Sequence, residues 1–272
     1  MILVDPSKTI PVSVTGSYCP LNCPHCSGKY LSHMVKPKEM EAYIKKGYRS
    51  FLISGGMLPN GEIPFKPFLD LFRKLKREYK LFYNFHVGFP KRFPDEVDEL
   101  ADVVSMDFFG DQEILKKIYS LTRDLNDLIS FALTFSKPVV PHVTVGIYKG
   151  KLTHEPNTLE ILSRHFDTIV LNVFIPTPGT PFGAFPPPDI KDVKEVFKKA
   201  RKLFKRVILG CMQPRGSYRK RLQEEVKDLV DVIVKPVIKV EGEKFEGCCA
   251  FLAIELNEYN RISMSKIWLQ NE

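Results

Sequence analysis

Residues 13–31 read SVTGSYCPLNCPHCSGKYL, and within them Cys19, Cys23 and Cys26 stand at C-x3-C-x2-C spacing. The run just before them, 10–15 (IPVSVT), is short and β-branched, so the three thiols are expected on a loop that leaves a strand. A disulfide would leave one cysteine over, and a redox C-x-x-C between Cys23 and Cys26 would leave Cys19 unexplained. Structural zinc takes four protein ligands. His25 is the available fourth, but Pro24 and Cys26 leave it little room to share an ion with its neighbour. A 4Fe–4S cluster held by three thiolates leaves one iron open to an external ligand. A loop with prolines at positions 20 and 24 can wrap one such cube. Spacing alone leaves zinc and a cluster both standing.

Outward from this loop, short β-branched runs alternate with longer amphipathic ones. Strands are expected at 10–15, 50–54, 81–87, 102–107, 139–146, 168–175, 206–210 and 231–235, and helices near 37–47, 65–79, 111–119, 124–135, 156–165, 189–204 and 218–229. In 65–79, Phe68, Leu71, Phe72, Leu75 and Tyr79 mark one helical face. Eight βα repeats in 272 residues suit an α/β fold of the (β/α) barrel type, complete or with six to eight units; a doubly wound open sheet is the alternative. No linker divides the chain, which is expected to be a single domain over 1–272 with a short C-terminal extension from about 236 that carries Cys248 and Cys249. Chemistry in parallel barrels sits at the C-terminal ends of the strands. The cysteine triad, Ser54-Gly55-Gly56, Asp107, Gly146 and Cys211 all fall at such ends. A barrel interior lined by Phe85, His86 and Asp107 is expected to shield the site.

Hydrophobic content of 44% and aromatic content of 11% supply a sizeable core. No run of eighteen apolar residues occurs and MILVDPSKT is no signal peptide, so a soluble, cytoplasmic protein with no membrane partner is expected. In that compartment six cysteines suggest metal ligands, catalytic groups or buried thiols. The net charge of +8 is concentrated in KDVKEVFKKARKLFKR (191–206) and RGSYRKR (215–221). It suits an acidic partner, or else a solvated helix face.

C-x3-C-x2-C on the loop after the first strand resembles the signature of the radical S-adenosylmethionine (radical SAM) superfamily. His25 fills the place before the last cysteine that is usually aromatic there. ISGGMLPNGEIP (53–64) resembles the family's glycine pair that cradles the methionine amino group, with Met57 where an acidic residue often follows. VGIYKG (145–150), with Gly146 and Ile147, resembles the fifth-strand motif near the adenine, and FIPTPGTPFG (174–183) resembles a loop of biotin-synthase-like members. The resemblance implies that Cys19, Cys23 and Cys26 hold a 4Fe–4S cluster and that Ser54, Gly55, Gly56, Gly146 and Ile147 bind S-adenosylmethionine. Asp107 would hold the ribose hydroxyls, or else cap a helix. The implied reaction cleaves S-adenosylmethionine to methionine and a 5′-deoxyadenosyl radical, with a reductant such as ferredoxin.

Three cysteines remain: Cys211 in ILGCMQPRGSYRKR, and Cys248 with Cys249 in FEGCCAF. RGSY resembles the Arg-Ser-Ser-Tyr motif of lipoyl synthases, whose serine caps an iron of a second cluster consumed as sulfur donor. The resemblance makes Cys211, Cys248, Cys249 and Ser217 the second ligand set; without it Ser217 is an ordinary helix N-cap. Conventional lipoyl synthases carry three further cysteines ahead of the radical motif, and none precedes Cys19 here. The chain is closer to the compact archaeal two-subunit type. That implies sulfur insertion into an octanoyl chain on an acidic lipoyl carrier protein or peptide, alongside a paralogous partner subunit. Biotin synthase would place cysteines on the middle strands, where this chain has none. A tRNA-modifying relative would normally add an RNA-binding domain, which is not expected after Glu246, so nucleic acid is disfavoured. A non-catalytic iron–sulfur or zinc interaction subunit would not need the glycine pair or VGIYKG.

Overall fold

The computed structural model describes residues 1–91 and 95–254. Its strands are β1 (Ile2–Asp5), β2 (Thr9–Ser13), β3 (Ser50–Ser54), β4 (Phe82–His86), β5 (Val103–Asp107), β6 (Val139–Val145), β7 (Thr168–Val173), β8 (Arg206–Leu209), β9 (Val232–Val234) and β10 (Glu243–Glu246). The helices between them are α1 (Met40–Lys45), α2 (Leu69–Tyr79), α3 (Asp95–Leu100), α4 (Gln112–Tyr119), α5 (Leu125–Ala132), α6 (Glu155–Leu162), α7 (Ile190–Leu203) and α8 (Ser217–Val226).

All ten strands pair in parallel in the order β10-β1-β9-β8-β7-β6-β5-β4-β3-β2, a nearly closed (β/α) barrel. The eight expected strands are β2 to β9, each beside the next in chain order. Two strands were not expected. ILVD and EKFE are four residues each, the second mostly charged, and form strands because β1 inserts between β9 and β10. The seam between β10 and β2 is bridged where the Cys248 N–H donates to Thr9 Oγ1 at 2.8 Å, and Thr9 Oγ1 lies 2.7 Å from Ser50 Oγ. Residues 255–272 of the expected C-terminal extension lie outside the described residues. Its start is part of the barrel, through β10 and the turn Cys249–Ala253.

Side chains alternate across each strand, so one set faces the barrel axis and the other the helices. In β4, Tyr83 and Phe85 pack outward on α2: the Tyr83 hydroxyl donates to the Phe72 carbonyl at 3.1 Å and the Phe85 ring lies 6.2 Å from Phe72. Phe85 therefore does not line the interior as expected, because it is out of phase with His86. Phe82, Asn84 and His86 take the axial face. At the N-terminal mouth Phe82, Val103, Val140, Val170, Ile208 and Val232 form an apolar floor, into which Phe251 is fully buried. The Arg206 guanidinium donates to the Leu252 carbonyl at 2.6 Å and holds that plug.

The lysine-rich segment 191–206 is a solvated helix face. Ile190, Val193, Val196, Phe197 and Ala200 of α7 are buried, while Lys194 pairs with Glu225 and Lys198 with Glu195, both at 2.8 Å, and Lys199 pairs with Glu160. Among the described residues no helix is long and apolar enough to cross a membrane.

Candidate functional site

Beyond β2 the chain turns four times in fourteen residues. Gly16, Asn22, Ser27 and Gly28 adopt left-handed φ values of 61°, 45°, 46° and 71°. The hydrogen bonds Asn22 N to Cys19 O (3.3 Å), Cys26 N to Cys23 O (3.1 Å) and Lys29 N to Cys26 O (2.9 Å) close the turns. The result places Cys19, Cys23 and Cys26 on one loop at the C-terminal face, Cys23 buried and the others half-buried. The thiols feel one another. The hydrogen bond between Cys23 and Cys26, then burial, pushes Cys23 up, and Cys19 adds to it; the same bond, with His25, holds Cys26 down despite burial. A thiolate beside thiols is the donor chemistry that iron or zinc takes.

The loop is clamped from the opposite side of the barrel. Lys29 Nζ donates to the Pro178 carbonyl at 2.6 Å, Tyr30 Oη lies 2.9 Å from Thr177 Oγ1, and Phe182 N donates to the Pro24 carbonyl at 2.9 Å. The FIPTPGTPFG segment that follows β7 thus locks the cysteine loop. Gly56 sits against its other side: a Cβ there would lie 2.1 Å from Tyr18 O and 2.7 Å from Cys19 Cα. Gly56 N donates to Thr15 Oγ1 at 2.7 Å. Gly56 is glycine because the cysteine loop fills the space a side chain would need, whereas Ser54 and Gly55 line the cavity below.

That cavity, of about 200 Å³, opens beneath the thiols. Its wall is apolar at Met57, Ile63, Phe89 and Phe174, and its axial side is polar at His86, Asp107, Thr144 and Asn172. Asp107 Oδ2 lies 3.6 Å from His86 Nε2. Helix capping falls to Asp111, which accepts from Glu113 N and Ile114 N at 2.9 and 3.1 Å, so Asp107 is free to face the cavity. The His142 ring lies 5.6 Å from that of His86, tilted by 60°, and its Nδ1 bonds the Val140 carbonyl at 3.0 Å. Burial, then the nearby His86, pushes His142 down to about 4, so it is neutral.

Ile147 lines the cavity, and Gly146, at φ 71°, turns the chain beside it. Gly146 N donates to Glu155 Oε1 at 2.7 Å, and a Cβ on Gly146 would meet Pro188 at 2.7 Å. Glu155 is fully buried and its carboxyl is pushed up by that burial, against the N–H groups of Thr153 and Gly146. Sequence alone left Glu155, Tyr119, His142 and Asn172 unnamed. Strand alternation carried the signal for His142 and Asn172, two polar residues at axial positions of otherwise apolar strands. Nothing local marked Tyr119, whose ring meets His25 edge-on at 5.5 Å.

The other three cysteines converge as well. Asn84 Nδ2 donates to Cys248 Sγ at 3.3 Å. Hydrogen bonding to Cys248, then burial, then the charges of Cys248 and Cys211 push Cys249 up. Desolvation, with the nearby Cys248, pushes Cys211 up, against Lys235. Cys248 is drawn down to about 7, chiefly by the Cys249 hydrogen bond, with burial opposing and the Ala250 N–H and Asn84 assisting. Asn84 Oδ1 and Ser105 Oγ are buried without a partner among the described residues. Thiols beside an amide donor are chemistry that iron or zinc takes. Ser217 is exposed as the first residue of α8, and Gly216 takes the cap position, so Ser217 is not the N-cap. Among the described residues no three His, Cys, Asp or Glu side chains stand at coordination geometry for one ion; each thiol set is a group of neighbours.

No family model and no curated protein matches the sequence. Solved structures do match in fold. Methylornithine synthase (PylB) aligns over 88% of this chain and 74% of its own, with a TM-score of 0.59 and 14% identity. The radical S-adenosylmethionine methyltransferase TsrM from Kitasatospora setae, with tryptophan and a SAM analogue bound, aligns over 71% of this chain and 39% of its own, with a TM-score of 0.42 and 14% identity. HMG-CoA lyase from Brucella melitensis aligns over 83% and 80%, with a TM-score of 0.47 and 12% identity. At these identities the likeness is one of fold.

Proposed function

We propose that the chain is a radical SAM enzyme of the lipoyl synthase type, one that inserts sulfur into an octanoyl chain on an acidic carrier. The observation that carries the radical SAM reading is the placement of Cys19, Cys23 and Cys26 on one clamped loop, against Gly56 and over the cavity floored by His86 and Asp107. When bound there, a 4Fe–4S cluster and S-adenosylmethionine supply one-electron cleavage to a carbon radical. The protein's part is to hold and shield. Ser54, Gly55 and Ile147 would bind the cofactor's methionyl and adenosyl parts, Asp107 would accept from ribose hydroxyls, and Met57, Ile63, Phe89 and Phe174 exclude water from the reacting carbon.

Sulfur insertion is supported by the second thiol group inside the same barrel. Cys211, Cys248 and Cys249 would hold a second cluster, with Ser217 as the fourth ligand suggested by RGSY. The basic segment 215–221 is the surface offered to the acidic carrier, and a paralogous partner subunit and a ferredoxin-like reductant complete the system.

The test is anaerobic reconstitution of the intact chain and of the variant with Cys19, Cys23 and Cys26 all changed to alanine. The intact chain is expected to form 5′-deoxyadenosine from S-adenosylmethionine under reductant, and the variant to form none while keeping about four irons. Cys211→Ala, Cys248→Ala and Cys249→Ala are expected to spare uncoupled cleavage and stop sulfur transfer to an octanoylated peptide. No 5′-deoxyadenosine from the intact chain would overturn the radical SAM reading. A second reading, a biotin-synthase-like radical enzyme acting on a polar small molecule, is favoured by the polar barrel axis at Asn84, Ser105, His142 and Asn172. An iron-free variant together with an unmodified octanoyl peptide would select it.

A further inference from the structure

β4 reads FYNFH, and its central axial position is an asparagine. Asn84 is 1% exposed, and so is Ser105 on the neighbouring strand, where strand alternation in a barrel usually places branched apolar residues. Burying a carboxamide costs free energy unless its donors and acceptor are paired. Asn84 meets this poorly by ordinary standards: Nδ2 bonds Cys248 Sγ at 3.3 Å, and Oδ1 has no partner among the described residues. An amide N–H bonded to a neutral thiol is a weak pair. Bonded to a thiolate it is charge-assisted and much stronger. The contact therefore makes sense for a Cys248 that carries metal.

We propose that Asn84 is a positioning residue for the second iron–sulfur cluster, its Nδ2–H holding the Cys248 sulfur toward the barrel axis as an iron ligand and stabilising the cluster's reduced state. This rests on the reading of Cys211, Cys248 and Cys249 as a cluster site. Two tethers act on Cys248: its backbone N–H is fixed to Thr9 Oγ1 at 2.8 Å, and its sulfur is fixed by Asn84 on the facing strand. The backbone tether spans the barrel seam and sets where residue 248 lies. The side-chain tether sets which way its sulfur points. Hydrogen bonds to cluster sulfurs raise reduction potentials, because the reduced cluster carries more negative charge.

The experiment uses the full chain with Cys19, Cys23 and Cys26 changed to alanine, so that only the second cluster is present, and adds Asn84→Leu and, separately, Asn84→Ala. Leucine preserves the volume without a donor; alanine leaves space, so the pair guards against a packing artefact. Iron content, thermal melting, the cluster's midpoint potential and its electron paramagnetic resonance spectrum are measured. Both variants are expected to melt cooperatively and to show a more negative midpoint potential with a shifted spectrum, or to lose iron while remaining folded. Parental iron content, potential and spectrum in both variants would overturn the assignment to Asn84 and leave the cluster reading intact. An iron-free parent would overturn the cluster reading and Asn84's role with it.

Discussion

The contact between Gly56 and the cysteine loop makes the most demanding prediction. A methyl group at residue 56 would lie 2.1 Å from Tyr18 O, 2.7 Å from Cys19 Cα and 2.9 Å from Cys19 Cβ. All three atoms belong to the backbone or first side-chain carbon of the loop that carries the thiols, so none can rotate away. Ordinary van der Waals separation requires a retreat of roughly 1 Å. That loop is also clamped by Lys29, Tyr30 and Pro24, which block an easy rigid-body shift. Overpacking of this kind costs about 1–3 kcal/mol, and a misplacement of about 1 Å at a reacting centre lowers rate by about 100-fold. Gly56→Ala should therefore fold, with reduced iron retention and about 100-fold slower 5′-deoxyadenosine formation. Parental iron and parental rate in Gly56→Ala would refute the reasoning.

Two further outcomes concern stability. His142 and His154 are buried and pushed down from 6.5 to about 4, so between these values the unfolded chain binds protons that the folded chain refuses. Stability is thus complete above pH 6.5 and falls as pH drops toward 4, by about 3 kcal/mol per histidine; urea melts across that range should show the slope flattened in the His142→Gln, His154→Gln double variant. Phe251→Ala removes the ring that fills the N-terminal mouth beside Phe82, at a centroid distance of 6.1 Å, and chemical denaturation should report a loss of about 3–5 kcal/mol.

Much of the frame was legible in the chain itself. The eight expected strands appear as β2 to β9, since β-branched runs separated by amphipathic stretches specify a parallel sheet whatever their partners. Helix α3 was overlooked because six residues rich in Asp and Glu, DEVDEL, show too short an apolar face to mark a period. The strands β1 and β10 were overlooked for a different reason: each is held by neighbours more than two hundred residues away in sequence, not by its own propensity.

The candidate site divides along the same line. Spacing within eight residues decides that Cys19, Cys23 and Cys26 share a loop, because a few turns of backbone bring them together without help from the rest of the fold. The tertiary structure alone decides that Gly56 abuts that loop, that Asp107 faces the cavity while Asp111 caps α4, and that Phe85 turns outward. It also decides that Asn84 reaches Cys248 across 164 positions of chain. Local sequence sets dihedral preferences and periodicity over one or two turns. Barrel closure, with its strand register, sets which axial side chains meet, and that register is a property of all the strands at once.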